Sequence, residues 1–169
     1  MTRYYSPPEV LQKLVGDAQD PRFVGTPFKM EGNESNCFGI RCGDGYATVF
    51  GFEHDGDPVW WLRMAAGIAI DVPNIDCALR WVNEENRDIY TGCYICAIDQ
   101  ARNLAAVVHQ VSFSSIEINA DSELVFAFMT KMMTLVSNRA ATKPADFIRR
   151  CGGTPFNEDS AYAIPPLIM

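Results

Sequence analysis

The apolar residues near the start of the chain recur with the period of an α-helix. Five of them share one face of a helix: Val10, Leu11, Leu14, Val15 and Ala18. Ser6 suits the N-cap, Pro7 is tolerated in the first turn, and Glu9 completes a capping box. The pattern predicts a first helix over residues 7–18. Residues 20–36, in which Gly, Pro and Asn are spread, are expected to be irregular apart from one short strand.

From residue 37 the apolar pattern changes to the period of two that is typical of β-strands. Candidate strands cover residues 37–42, 45–52 and 58–65. Gly43-Asp44-Gly45 and His54-Asp55-Gly56-Asp57 separate them, and such residues favour the tight turns that join antiparallel strands. These segments predict a three-stranded meander.

A second helix, a hairpin and a third helix follow. A helix is predicted over residues 72–86 from four apolar positions at helical spacing: Ile75, Ala78, Leu79 and Val82. Residues 92–99 and 104–113 return to β-formers around a short loop, which predicts a hairpin. The third helix is expected over residues 121–137, with one buried stripe: Leu124, Val125, Phe128, Met129, Met132, Leu135 and Val136. Pro144 is expected to end or kink any continuation.

The order of these elements, α-β-β-β-α-β-β-α, predicts the fold class. Grouped strands of this kind are typical of an α+β fold, here with an antiparallel sheet of about five strands and three helices. Residues 1–140 are expected to form one domain, which is an ordinary length for a single core. Residues 141–169 end in a stretch rich in Gly and Pro, and are expected to form an extension that packs on the domain or on a neighbouring subunit.

Both faces of the predicted sheet carry large apolar side chains. Trp60 and Trp61 are neighbours on one strand, so their indoles lie on opposite faces. An antiparallel sheet with one face in water alternates apolar with polar residues, and this one does not. Either the helices are divided between the faces, or a second subunit or a bound chain covers part of one face. Trp60, Trp61, Phe50 and Phe52 are therefore the candidate binding residues, although core packing accounts for them equally well.

The charge of the chain argues against nucleic acid as a partner. The formal net charge is −7 and the isoelectric point about 4.7, whereas affinity for nucleic acid is built from Lys and Arg contacts with phosphate. The same charge argues against an anionic membrane surface. The sequence shows neither a signal-peptide pattern nor an apolar run long enough to span a bilayer. A cytoplasmic protein is expected.

The cysteines offer the most suggestive chemistry, in the stretch "GCYIC". In a strand Cys93 and Cys96 point to opposite faces, because they are three residues apart, and cannot share a metal ion or a disulfide. Tyr94 and Ile95 supply neither the helix N-terminus of a redox pair nor the turn of a zinc knuckle. We therefore expect no metal or cofactor, and six reduced, structural thiols: Cys37, Cys42, Cys77, Cys93, Cys96 and Cys151.

No catalytic set is evident in the sequence. The two histidines are His54, in a predicted turn, and His109, in the middle of a strand with no carboxylate close to it in sequence. Nucleophile-elbow, Walker and dinucleotide-binding motifs do not occur. We expect that the protein is not an enzyme. A thiol-based redox sensor or a small enzyme that uses the cysteines remains the alternative.

One part of the chain resembles a known family. The helix ending in Val82-Asn83-Glu84-Glu85-Asn86, the turn at Thr91-Gly92, and the hairpin and long helix that follow are similar to the YbjN-like family, described as bacterial sensory transduction regulators. The similar stretch covers residues 35–138, and the resemblance implies the fold of type III secretion chaperones. Asn83 and Asn86 share a helical face, and are expected to tie the helix end to the turn by bonds from side chain to backbone.

These expectations converge on one function. We expect a non-catalytic protein-binding, chaperone-like or regulatory module, homodimeric, which uses apolar sheet or helix surface to hold a protein or peptide partner. The apolar residues on both faces of the sheet, the acidic composition and the lack of a catalytic set favour it.

Overall fold

The structure, a computed structural model, describes residues 4–30, 36–53, 56, 58–120 and 122–168. The strands form one antiparallel sheet in the order β1-β2-β3-β4-β6-β5. They are β1 Thr26–Lys29, β2 Cys37–Cys42, β3 Gly45–Glu53, β4 Trp60–Val72, β5 Cys93–Asp99 and β6 Leu104–Ser114. The helices are α1 Pro7–Ala18, α2 Ile75–Arg87, α3 Ser115–Ala120, α4 Ser122–Cys151, α5 Glu158–Ala161 and α6 Ile164–Ile168.

The predicted α+β class is confirmed, with differences in the number of elements. The sheet has six strands instead of about five, because β1 pairs with β2 at its edge. The first helix has the predicted bounds, and its capping box forms: the Ser6 backbone N–H donates to the Glu9 carboxylate at 2.8 Å. The turn predicted at His54-Asp55-Gly56-Asp57 lies largely outside the described residues.

The third helix differs most from expectation. A short helix, α3, precedes it, and α4 continues through Pro144 to Cys151, so the expected end at Pro144 is wrong. Proline has no N–H, and therefore leaves the Ala140 carbonyl, four residues earlier, without its helical bond. Tertiary packing outweighs this loss, because Phe147 and Cys151 beyond the proline are buried in the core.

The main core lies between one face of the sheet and the helices α1, α2 and α4. The other face is covered by the C-terminal segment, residues 154–168, which contributes Phe156, Ile164 and Ile168 to a second apolar cluster. Thr154 pairs with Ile70 at the end of β4 through two backbone bonds of 2.9 Å. The chain thus covers much of its own second face, and α4 crosses residue 140, where the first domain was expected to end.

Two of the six cysteines are joined, which corrects the expectation of six thiols. Cys77 at the start of α2 and Cys151 at the end of α4 form a disulfide, with Cα atoms 5.4 Å apart. Their separation of 74 residues leaves no local pattern from which the pair could be predicted. Within the described residues no helix is long and apolar enough to cross a membrane. The cytoplasmic location remains a prediction, and a disulfide is more common in oxidising compartments.

Candidate functional site

The four aromatic residues predicted to bind a partner lie on different faces. Trp61 and Phe52 are cross-strand neighbours on the second face and half-buried, and the Arg63 guanidinium lies 4.7 Å from the Phe52 ring centroid. Phe50 is buried in the second apolar cluster, with its ring 5.8 Å from that of Phe52. Trp60 points the other way and packs against the main core. Phe50 is therefore core, and of the predicted residues on this face only Trp61 and Phe52 are partly accessible.

Trp60 also lines a groove at one end of the molecule. The groove has a volume of about 530 Å³ and lies between the start of the chain, the start of β4 and α3. Its most exposed side chains are Tyr4 at 79% and Ile116 at 66%. Tyr5 in the same groove packs edge-on against Phe126 of α4, at 5.1 Å between ring centroids.

The first turns of α4 also expose apolar side chains. Leu124 is 68% exposed and Phe128 is 44% exposed, and Ala127 between them is also exposed. We call Leu124, Ala127 and Phe128 the α4 stripe. The exposure corrects the sequence interpretation, which placed Leu124 and Phe128 in the buried face of the helix. The buried side is rotated and is formed by Phe126, Met129, Met133, Val136, Ala140 and Phe147.

A second candidate site lies where α2 meets β5, at the residues that carry the family resemblance. The Asn86 side chain accepts from the Tyr94 N–H at 2.6 Å and donates to the Tyr94 carbonyl at 2.9 Å. Asn83 is exposed and takes no part in these bonds. Gly92 has a φ of 74°, and a Cβ atom there would clash with the Gln110 carbonyl. The turn is therefore held close against β6.

Beneath this turn four rings form a buried cluster. Trp81 packs edge-on against Tyr94 and Phe147, each at 5.0 Å between ring centroids, and Tyr94 lies 4.9 Å from His109. We call these four residues the ring cluster. The indole N–H of Trp81, the Tyr94 hydroxyl and both His109 ring nitrogens make no hydrogen bond of good geometry among the described residues. Arg139 lies close to the hydroxyl, and the Thr91 backbone lies close to the imidazole. A buried polar group without a partner costs about 1–3 kcal/mol, so the presence of four such atoms in one cluster needs a physical explanation.

A polar cavity of about 570 Å³ lies beside the ring cluster. Its walls come from the end of α2 and the second half of α4: Glu84, Glu85, Arg87, Asp88, Ile89, Arg139 and Lys143. Lys143 pairs with Glu85 at 2.7 Å, and Arg87 with Asp88 at 3.8 Å. Arg139 has no carboxylate partner within the described part of the chain, and its guanidinium lies 5.9 Å from the Tyr94 ring centroid.

Burial keeps the polar rings of the cluster neutral at physiological pH. Burial raises the pKa of Tyr94 to about 12, with Arg139 acting in the opposite direction and Glu85 in the same direction. Burial, followed by the charge of Arg139, lowers the pKa of His109 to about 4. Arg139 and Glu85 both line the cavity, so the charges of its wall act on the Tyr94 hydroxyl. Both groups are available as neutral hydrogen-bonding groups.

Acid should destabilise the protein through His109. In the unfolded chain the imidazole takes up a proton near pH 6.5, but the buried ring resists it down to about pH 4, so stability is lost as the pH falls through this interval. Between pH 7 and pH 4.5 the native protein should lose about 2 kcal/mol more unfolding free energy than the His109→Leu variant. Urea denaturation of both proteins at the two pH values measures this difference. Equal losses would show that His109 is protonated or accessible in the folded state.

The four free cysteines lie on strands, two on β2 and two on β5. Cys93 pairs with Gln110 and Cys96 with Val107 in the register of β5 and β6, so the two side chains lie on opposite faces as predicted. Burial raises the pKa of Cys37 to about 12 and that of Cys42 to about 11, and it also raises the pKa of Cys96. These three thiols are therefore poor nucleophiles at neutral pH. No group of three potential metal ligands occurs in the described ranges, and His54 lies outside them.

Comparison with known proteins does not assign the chain to a family. No protein-family model matches it, and no curated protein sequence matches it. The resemblance of residues 35–138 to the YbjN-like family therefore stays a prediction.

Proposed function

We propose that the protein is a non-catalytic protein-binding module, of chaperone-like or regulatory type, that forms a homodimer through α4. One observation carries this proposal: the first turns of α4 expose large apolar side chains, and so do the start of the chain and α3, both of which adjoin α4. They are Tyr4, Ile116, Leu124 and Phe128. Such a concentration of apolar surface is typical of a protein-protein contact.

The charges that flank the α4 stripe favour a second copy of the chain as the occupant. Glu123 and Lys131 are exposed and lie four residues before and after Ala127. A twofold axis at Ala127, with the two α4 helices antiparallel, places Glu123 of each protomer beside Lys131 of its partner. The small side chain at the axis allows the helices to approach closely, and Leu124 and Phe128 are then buried against the partner helix.

The alternative, a thiol-based redox sensor or enzyme, has weaker support. Its reactive group would be a thiolate, whereas burial raises the pKa of Cys37, Cys42 and Cys96. Cys77 and Cys151 are already joined to each other. The chaperone-like role rests on the resemblance to the YbjN-like family together with the order of helices and strands, and it is kept here as part of the proposal.

An aspartate on the α4 stripe should dissociate the dimer. Phe128→Asp places a charge in the apolar contact and is expected to weaken self-association at least tenfold, because a buried charge without a partner is costly. Sedimentation equilibrium measures the dissociation constant. Leu79→Asp is the matched control, since Leu79 on α2 is 39% exposed and lies outside the stripe. Equal dissociation constants for the two variants would contradict the proposed interface.

Charge reversal tests the antiparallel geometry separately from the apolar contact. Glu123→Lys and Lys131→Glu should each weaken association, because each sets like charges against one another across the axis. The double variant, with both reversals, should recover most of the affinity that each single variant loses. High salt should reduce the two losses and the recovery. If the affinity losses of the two single variants add up in the double variant, the α4 helices do not pair in this way.

A further inference from the structure

The end of the molecule opposite the N-terminus of α4 contains polar groups that protein binding through the α4 stripe does not use. Four polar atoms of the ring cluster make no hydrogen bond of good geometry among the described residues, although Trp81, Tyr94 and His109 are almost completely buried. The polar cavity is directly adjacent, because Arg139 forms part of its wall and also faces Tyr94. A partly buried guanidinium in the wall of a cavity is an arrangement suited to an anion.

The ion pairs around the cavity leave one positive charge uncompensated. Glu85 is neutralised by Lys143, Asp88 lies near Arg87, and Glu84 pairs with Arg150 at 3.0 Å. Of the three cations in the cavity wall, Arg139 is the one that has no carboxylate partner among the described residues. Its fork of N–H donors fits the two oxygens of a carboxylate.

The same surroundings favour a singly charged ligand over phosphate. Each of the three carboxylates that line the cavity is paired with a cation, so Arg139 balances one negative charge and leaves the second charge of a phosphate dianion unbalanced. A volume of about 570 Å³ is large enough for a small organic molecule. The remaining carboxylate oxygens offer acceptors to hydroxyl or ammonium groups on such a molecule.

We propose that this cavity binds a small organic acid, whose carboxylate is held by the Arg139 guanidinium. The site is independent of the proposed dimer contact, because the cavity lies on the second half of α4 and the α4 stripe on its first turns. Binding also stabilises the folded protein, since the pairing of α2 with α4 forms the site.

Titration of the full-length protein with acetate and glycolate tests the proposal. The readout is the NMR signal of the Trp81 indole N–H, assigned with Trp81→Phe, because this ring contacts Tyr94. We expect a saturable shift with at least one of the two acids, and no saturable shift with inorganic phosphate or chloride at matched ionic strength. Saturation by phosphate alone, or by neither acid, would overturn the proposal.

Two variants distinguish ligand binding from a structural role. Arg139→Met should weaken binding at least about tenfold, the effect expected for a charge-assisted pair, whereas Arg149→Met, an exposed position on the same helix, should leave it unchanged. A loss of binding in Arg139→Met at an unchanged urea midpoint separates a role in binding from a role in folding. Unchanged binding in this variant would overturn the proposal.

Discussion

Reduction of the Cys77–Cys151 disulfide is expected to lower the free energy of unfolding by about 4 kcal/mol, the chain-entropy value for a loop of 74 residues. The bond joins the start of α2 to the end of α4, and it restricts the unfolded chain between them. The bond adds to the packing that holds the part of α4 beyond Pro144, where Phe147 and Cys151 are buried in the core. Urea denaturation with and without a phosphine reductant measures the effect.

The Cys77→Ser/Cys151→Ser variant provides the control for this measurement. It should be as unstable as the reduced native protein, and the reductant should have no effect on it. The remaining thiols, Cys37, Cys42, Cys93 and Cys96, are present in both proteins, so they cannot account for the difference. If the reductant does not change the unfolding free energy of the native protein, Cys77 and Cys151 are not joined. The expectation of six thiols would then be right after all.

Gly45→Ala is expected to destabilise the protein by about 3 kcal/mol, at the upper end of overpacking effects. A Cβ atom at Gly45 would overlap the backbone carbonyl of Ala140 on α4. This is the carbonyl that Pro144 leaves without its helical bond. The helix and β3 are therefore in backbone contact, and a methyl group must push them apart across the main core.

Gly43→Ala is the matched control in the same turn. Gly43 has a φ of 62°, and a Cβ atom there meets nothing within 4 Å, so alanine adds only backbone strain of about 1 kcal/mol. Urea denaturation should rank the two variants with Gly45→Ala clearly less stable. The reverse order would mean that α4 does not rest on β3 in this way.

Local patterns were sufficient to predict most of the secondary structure. The capping box and apolar face of α1, the glycine turn between β2 and β3, and the hairpin of β5 and β6 each act over a few residues. The neighbours Trp60 and Trp61 also showed that both faces of the sheet carry large apolar side chains. What covers the second face was left open, because the contact of Phe156 with Gly67 joins distant parts of the chain.

Features that depend on tertiary packing were missed. Pro144 normally stops a helix, but the burial of Phe147 beyond it keeps α4 intact. The apolar residues of α4 cover two adjacent faces, so periodicity alone could not decide that Leu124 and Phe128 are the exposed ones.

The candidate sites were predictable to different degrees. The sequence singled out Asn86 and Gly92, which position Tyr94 and His109, but gave no sign of the ring cluster or of Arg139. These residues come from α2, β5, β6 and α4, and no local pattern connects them. The position of His109 in mid-strand was visible in the sequence, but its burial was not.

The most direct test of protein binding through α4 is oxidative cross-linking of the Ala127→Cys variant. A twofold axis at residue 127 brings the two new thiols together, so mild air oxidation should give a covalent dimer of twice the 18.8 kDa chain mass on a non-reducing gel. Arg80→Cys, on the exposed surface of α2, and the native chain should remain monomeric on the same gel. A monomeric Ala127→Cys protein, or equal cross-linking at residue 80, would contradict the proposed dimer.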